Sequence, residues 1–151
     1  MNQFDRSLPM MLYRTLDVVM PEFRAIFKRF RLTEQQWRVL RVLWERDGCA
    51  LLELAEATCV SGPSLVGVID RLSRDGLVRR RRSDTDRRVV RISLTRKGRQ
   101  LEKRVVPLVD EAYRRLERSI SRPDWLALMK GLDAVMAASP RERRARNNLR
   151  G

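Results

Sequence analysis

Histidine is absent from this chain, and cysteine occurs only twice in its 151 residues. Without histidine the commonest general base at neutral pH is missing. Two cysteines alone fall short of the four ligands that a structural zinc site takes. No nucleophile elbow, phosphate-binding loop or cluster of carboxylates in an apolar setting takes histidine's place, so no catalytic residue, metal site or cofactor motif is expected and the chain does not read as an enzyme. Long apolar runs are missing too: none approaches the roughly 18 residues that cross a bilayer. The opening MNQFDRSLPM has no signal-peptide pattern, so the expected location is cytoplasmic, with no membrane partner.

The two cysteines, Cys49 and Cys59, flank the segment LLELAEAT. A disulfide is not expected in a reducing compartment, and both read as small buried apolar residues. The competing reading is a thiol sensor at Cys59, where a helix start and nearby arginines would lower the thiol pKa.

Acidic residues are scarce relative to basic ones. Lys+Arg total 33 against Asp+Glu 19, a net charge of +14 that attracts a polyanion. Lysine contributes four of those cations and arginine 29. Arginine suits bidentate contact with phosphate and guanine, although codon usage in a GC-rich genome produces the same bias.

The pattern between Leu51 and Leu94 is the most specific. LLELAEAT reads as one short helix, SGPSLVGVIDRLSRDG as a second ending at Gly76, and LVRRRRSDTDRRVVRISL as a basic two-stranded ribbon turning at Asp84, Thr85 and Asp86. Helix, turn, helix and ribbon together predict a winged helix-turn-helix. In the second helix Leu65, Val68, Ile69 and Leu72 share one face at i, i+3, i+4 and i+7 spacing, so they should pack inward. The opposite side carries Ser61, Pro63, Ser64, Gly67, Arg71 and Arg74, which are expected to approach base edges and phosphates. Asp70 would repel phosphate there and is expected to pair with an arginine. At the ribbon tip Arg87 and Arg88 could enter the minor groove, with Asp86 holding one guanidinium. A solvated charged hairpin is the alternative.

Longer helices flank this unit. From Ser7 to Phe30, Leu8, Leu12, Leu16, Val19, Phe23, Ile26 and Phe27 form a stripe. Pro21 predicts a kink or a second helix starting near Val18. Thr33 and Gln36 make a capping box for TEQQWRVLRVLWERD, which Gly48 should close. Thr95 caps a helix to about Ile120, and Ser121 or Asp124 starts a last one with Trp125, Leu128, Met129, Leu132, Val135 and Met136 inward. The basic segment 139–151 should be disordered. Such terminal helices hold more apolar surface than one chain can bury, which predicts an obligate homodimer.

DGLVRRRRSDTDRRVVRISLTRKG, with Asp86, Arg87 and Arg88 followed by Leu94-Thr95 and Gly98, resembles the wing signature of the multiple-antibiotic-resistance regulator (MarR) family. That resemblance implies a mainly α fold with a small β-wing. Residues 33–94 would form the winged helix-turn-helix lobe, while 7–30 and 95–138 would be intertwined dimerisation helices. It also implies a repressor that binds double-stranded DNA at a palindromic operator, with Arg88 in the minor groove and Asp86 as its supporting acid. SLPMMLYRTLDVVMPEFRAIFKRFRLTEQQWRVLRVL is similar to the opening of the subgroup controlling catabolic operons for aromatic acids, homoprotocatechuate regulators among them. The family's effectors, small aromatic carboxylates, would then meet Met11, Arg14, Met20, Phe23 and Trp37, with Arg14 or Arg38 pairing the carboxylate. Core packing explains the same apolar residues equally well. The expected function is thus an aromatic-acid-released repressor of an aromatic-compound catabolic operon. A redox-sensing repressor and a sequence-indifferent architectural DNA-binding protein are the alternatives.

Overall fold

The computed structural model describes residues 7–82 and 88–138, so the wing tip at 83–87 and the basic segment at 139–151 lie outside the described residues. The chain divides into two compact units, Met1–Asp110 and Glu111–Gly151.

In the first unit, α1 (Leu8–Arg29) runs through Pro21 as one helix. The second helix expected near Val18 does not form. Proline removes one backbone donor, yet its fixed φ is compatible with a helix, and α1 continues. Phe23, Ile26 and Phe27 are buried, whereas Leu8, Leu12 and Leu16 stay exposed. At its C-terminus the Leu32 N–H donates to the Phe27 carbonyl and the Arg31 N–H to that of Lys28, both at 3.0 Å. These two bonds define a Schellman cap, whose left-handed position is occupied here by Arg31 at φ 57°.

Next, α2 (Glu34–Glu45) begins with the expected capping box: Thr33 Oγ1 accepts from the Gln36 N–H at 3.2 Å, and Gln36 Oε1 accepts from the Thr33 N–H at 2.9 Å. It ends three residues before Gly48, which instead turns the chain at φ 75° into β1 (Cys49–Ala50). Trp37 stacks on Phe27 with ring centroids 4.9 Å apart, joining α1 to α2. The two short helices follow as α3 (Leu51–Thr58) and α4 (Gly62–Arg74), and then come β2 (Val78–Arg82) and β3 (Val90–Leu94). The ribbon is therefore a three-stranded antiparallel sheet in the order β1-β3-β2, not two-stranded. Cys49 pairs with Ile92 and Ala50 with Arg91. A two-residue strand is too short to leave a periodicity, so the pattern search missed it.

Thr95 starts α5 (Arg96–Arg118), its hydroxyl accepting from the Gly98 N–H at 3.1 Å. Gly98 is required by close approach: a Cβ there would lie 2.2 Å from the Leu77 carbonyl oxygen. In the second unit the end of α5 is followed by α6 (Arg122–Ala137), which Ser121 caps by accepting from the Asp124 N–H. None of the α6 residues is buried. Leu128, Met129, Val135 and Met136, expected to face inward, are exposed.

Candidate nucleic-acid interface

The core of the lobe decides which side of α4 is available. Leu65, Val68, Ile69 and Leu72 are each fully buried, as their spacing requires. The other side is left open: Ser61, Pro63, Ser64, Arg71 and Arg74 are exposed and Gly67 is half-buried. No side chain caps the α4 N-terminus. Ser61 donates its hydroxyl to Ser64 Oγ at 2.9 Å, and its own backbone carbonyl accepts from Leu65. First-turn N–H groups without a side-chain partner carry the positive end of the helix dipole, which favours a phosphate. The far end of α4 is closed by a second Schellman cap. Its bonds run from Leu77 N–H to Leu72 O and from Gly76 N–H to Ser73 O, with Gly76 at φ 70°.

Asp70 pairs as expected, and the partner is Arg80 on β2, with Nη2 2.5 Å from the carboxylate. This bond ties α4 to the first wing strand. The register puts Arg80 opposite Ile92 and Arg81 opposite Arg91, so alternate arginines leave opposite faces of the sheet. Arg79, Arg81 and Arg82 are exposed as well. They extend the basic surface beyond the residues singled out from the sequence, and the alternation of VRRRR against VRISL is the signal that places them. Opposed like charges at Arg81 and Arg91 are unfavourable. Arg91 is drawn aside, donating to the Gly48 carbonyl at 2.9 Å with Glu53 4.0 Å away. Of the three residues in the wing signature, Arg88 is exposed beyond the tip, while Asp86 and Arg87 lie outside the described residues.

Beneath the wing, Asp47 fastens the sheet to α5. One carboxylate oxygen accepts from the Leu94 N–H at 2.8 Å and from the Gly48 N–H, and the other pairs with Arg99 at 2.8 Å. Trp44 Nε1 donates to the Gly98 carbonyl at 3.0 Å, a second tie to the same helix.

Both cysteines are free. Cys49 is buried and donates to the Arg46 carbonyl, as a small core residue would. Cys59 corrects the expectation: it is exposed, at φ 53° in the left-handed position that ends α3, because the chain must turn there before α4.

The six residues proposed for an effector differ in exposure. Phe23 and Trp37 are buried core residues, Met20 is half-buried, and Met11, Arg14 and Arg38 are exposed. Arg38 donates to the Thr58 carbonyl at 3.0 Å, joining α2 to the end of α3.

A family model described as "MarR family" matches residues 32–90, the lobe just described. Over 131 residues the chain is 42% identical to the homoprotocatechuate degradative operon repressor of Escherichia coli, covering 87% of this chain and 88% of that one. Among solved structures, the transcriptional repressor CouR bound to a 23-mer DNA duplex has a TM-score of 0.81 at 30% identity, covering 90% of this chain and 96% of that one. NadR in complex with 4-hydroxyphenylacetate has a TM-score of 0.75 at 33% identity, covering 91% of this chain and 97% of that one.

Proposed function

The chain belongs to the MarR family, and from that we propose that it works as a homodimer, holding a palindromic operator until a small aromatic carboxylate releases it. At the coarser level it is a transcriptional repressor of the MarR type. The observation that carries the finer reading is the division of α4. Its apolar face is fully enclosed, while its small and basic face, with an uncapped N-terminus, is left for a duplex.

In this reading Ser61, Pro63, Ser64 and Gly67 come close to the major-groove edges, because their small side chains keep the backbone near the bases. Arg71 and Arg74 meet phosphates. Arg88 enters the adjacent minor groove, with Asp86 and Arg87 beside it. Two lobes in a dimer would address half-sites about one helical turn apart. The uncovered apolar residues of α1 (Leu8, Met11, Leu12, Leu16) and of α6 support pairing with a second copy. The aromatic carboxylate is supported by what the E. coli relative and NadR are named for. Met11, Arg14, Met20, Phe23, Trp37 and Arg38 remain the residues proposed to meet it. A ligand releases DNA only to the extent that it binds the DNA-incompetent arrangement more tightly.

The test is operator binding at one fixed salt concentration. The chain's own promoter should bind about a thousandfold more tightly than scrambled duplex, and Arg88→Ala should weaken that binding while sedimentation still shows a dimer. Equal affinity for both duplexes would favour an architectural DNA-binding protein. Release by hydroperoxide and not by aromatic acids, abolished by Cys59→Ser, would favour the thiol sensor.

A further inference from the structure

Five aliphatic side chains stand on α4, and four of them, Leu65, Val68, Ile69 and Leu72, are sealed in the core. The fifth, Val66, is 39% exposed. It lies on the flank of the open side, one turn after Gly62 and one turn before Asp70. We propose that Val66 is a specificity-determining residue that reads the 5-methyl group of one thymine in each half-site. The assignment rests on the reading of α4 as the helix that enters the major groove, and adds to it a residue and a base.

Charge limits how the first turns of α4 can recognise a base. Between Arg46 and Arg71 the chain has no lysine or arginine, although it carries 33 elsewhere. The bidentate contact of a cation with guanine is therefore not available from these turns. Their exposed side chains are those of Ser61, Pro63, Ser64 and Val66, which offer hydroxyls and apolar surface. A hydroxyl serves several bases and so discriminates little. An apolar branched side chain has one favourable partner in the major groove, the methyl group that thymine alone carries.

The neighbouring glycines leave room for that contact. A Cβ on Gly62 would meet nothing within 4 Å, and one on Gly67 only Arg71 Nη1 at 3.7 Å. Helical side chains lean toward the N-terminus, so Val66 leans over the turn that contains Gly62, which has no side chain to stand between a valine methyl and a base edge. As the fifth residue of α4, Val66 falls within the N-terminal part through which recognition helices contact bases. Helix formation does not explain the residue type, because a β-branched side chain at an exposed helical position is a poorer choice than alanine.

The test is fluorescence anisotropy at one fixed salt concentration, with duplexes of the chain's own promoter in which single thymines are replaced by deoxyuridine. Uracil keeps every hydrogen-bonding group of thymine and lacks only the methyl. For the wild type, replacement at one thymine should cost about fourfold in affinity per half-site, the expected worth of one methyl group removed from water. Val66→Ala should bind the thymine duplex about as weakly as the wild type binds the uracil duplex, and should lose nothing more when that thymine is replaced. Alanine favours a helix, so the variant should fold, which circular dichroism checks. A merely structural role would weaken both duplexes alike and leave the uracil penalty in place. The proposal is overturned if the wild type tolerates uracil at every position while still preferring its promoter to scrambled duplex. It is also overturned if Val66→Ala keeps the full penalty, which would assign the methyl to another side chain such as Pro63. If the wild type does not prefer its promoter to scrambled duplex, the reading of α4 itself falls, and the assignment of Val66 with it.

Discussion

Helices α4 and α6 are both rich in apolar residues and meet opposite fates. In α4 the four stripe residues Leu65, Val68, Ile69 and Leu72 lose all contact with solvent, because α2, α3 and the sheet come from the same chain and close over them. In α6, which is three residues longer, no residue is buried, and Leu126, Leu128, Met129, Val135 and Met136 remain open. Each such side chain gains about 1.5–3 kcal/mol on full burial, which is why the proposed dimer would draw on α6. A 3.6-residue period shows that a face will be covered. It does not show by what.

Truncation on each stripe should sharpen that contrast, and the largest effect belongs to α4. Ile69→Ala should lower unfolding free energy by about 2–5 kcal/mol, the range for emptying a packed aliphatic site. Measured by denaturant titration, the loss should come with little change in the dimer dissociation constant. Leu128→Ala should do the reverse. Because a two-fold assembly counts the change twice, that constant should rise tenfold or more in sedimentation. The contrast fails if Leu128→Ala leaves self-association untouched, or if the wild type sediments as a monomer.

The same contrast explains how much was legible beforehand. Thr33 with Gln36, Gly76, and the α4 stripe were readable because each is a local rule whose partners lie within a few residues. Asp70 was readable as a misfit on a phosphate-facing surface, although Arg80 as its partner needed the strand register. Three features were not readable. Strand β1 exists because β3 offers an edge to Cys49 and Ala50, not because two residues form a pattern. Cys59 is exposed because α3 ends in a left-handed turn that nothing in the residue type requires. The open cleft lined by Arg29, Leu32, Leu77, Lys97 and Arg104 draws on three separated segments, so no window along the chain contains it. At Pro21 the second of the two expected outcomes, a new helix, does not occur, because α1 continues through it.

A smaller effect probes the join between α4 and the wing. Asp70 and Arg80 are both substantially exposed, so Asp70→Asn should change stability by less than about 1 kcal/mol. Its consequence should appear in DNA binding. An untethered β2 loses its fixed position relative to the α4 face, and operator affinity should fall about three- to tenfold while the dimer constant stays put. If affinity and stability both remain unchanged, the ion pair is ornamental and the wing is oriented by the apolar contacts of Val78, Ile92 and Leu94 alone.

The smallest effect belongs to the second unit, where exposed ion pairs stand in for the enclosed core that α4 enjoys. Glu111 accepts from Arg114 Nε at 3.0 Å and has Arg115 at 3.5 Å. The hydrogen bond from Arg114 is the main cause holding its carboxyl below the ordinary carboxylate range; loss of hydration opposes it in part, and weaker attraction from Arg114, Arg115 and Arg118 adds to the lowering. A carboxylate whose folded pKa is lowered stabilises the fold above its unfolded value, about 4.3, and that contribution disappears as pH falls through the folded value. Glu111→Gln should therefore lower the thermal midpoint slightly near neutrality and converge with wild type in acid, when both are followed from about pH 6 to about pH 3. Parallel curves would mean that the Glu111 cluster contributes nothing measurable, and that the end of α5 depends wholly on surfaces a second copy brings.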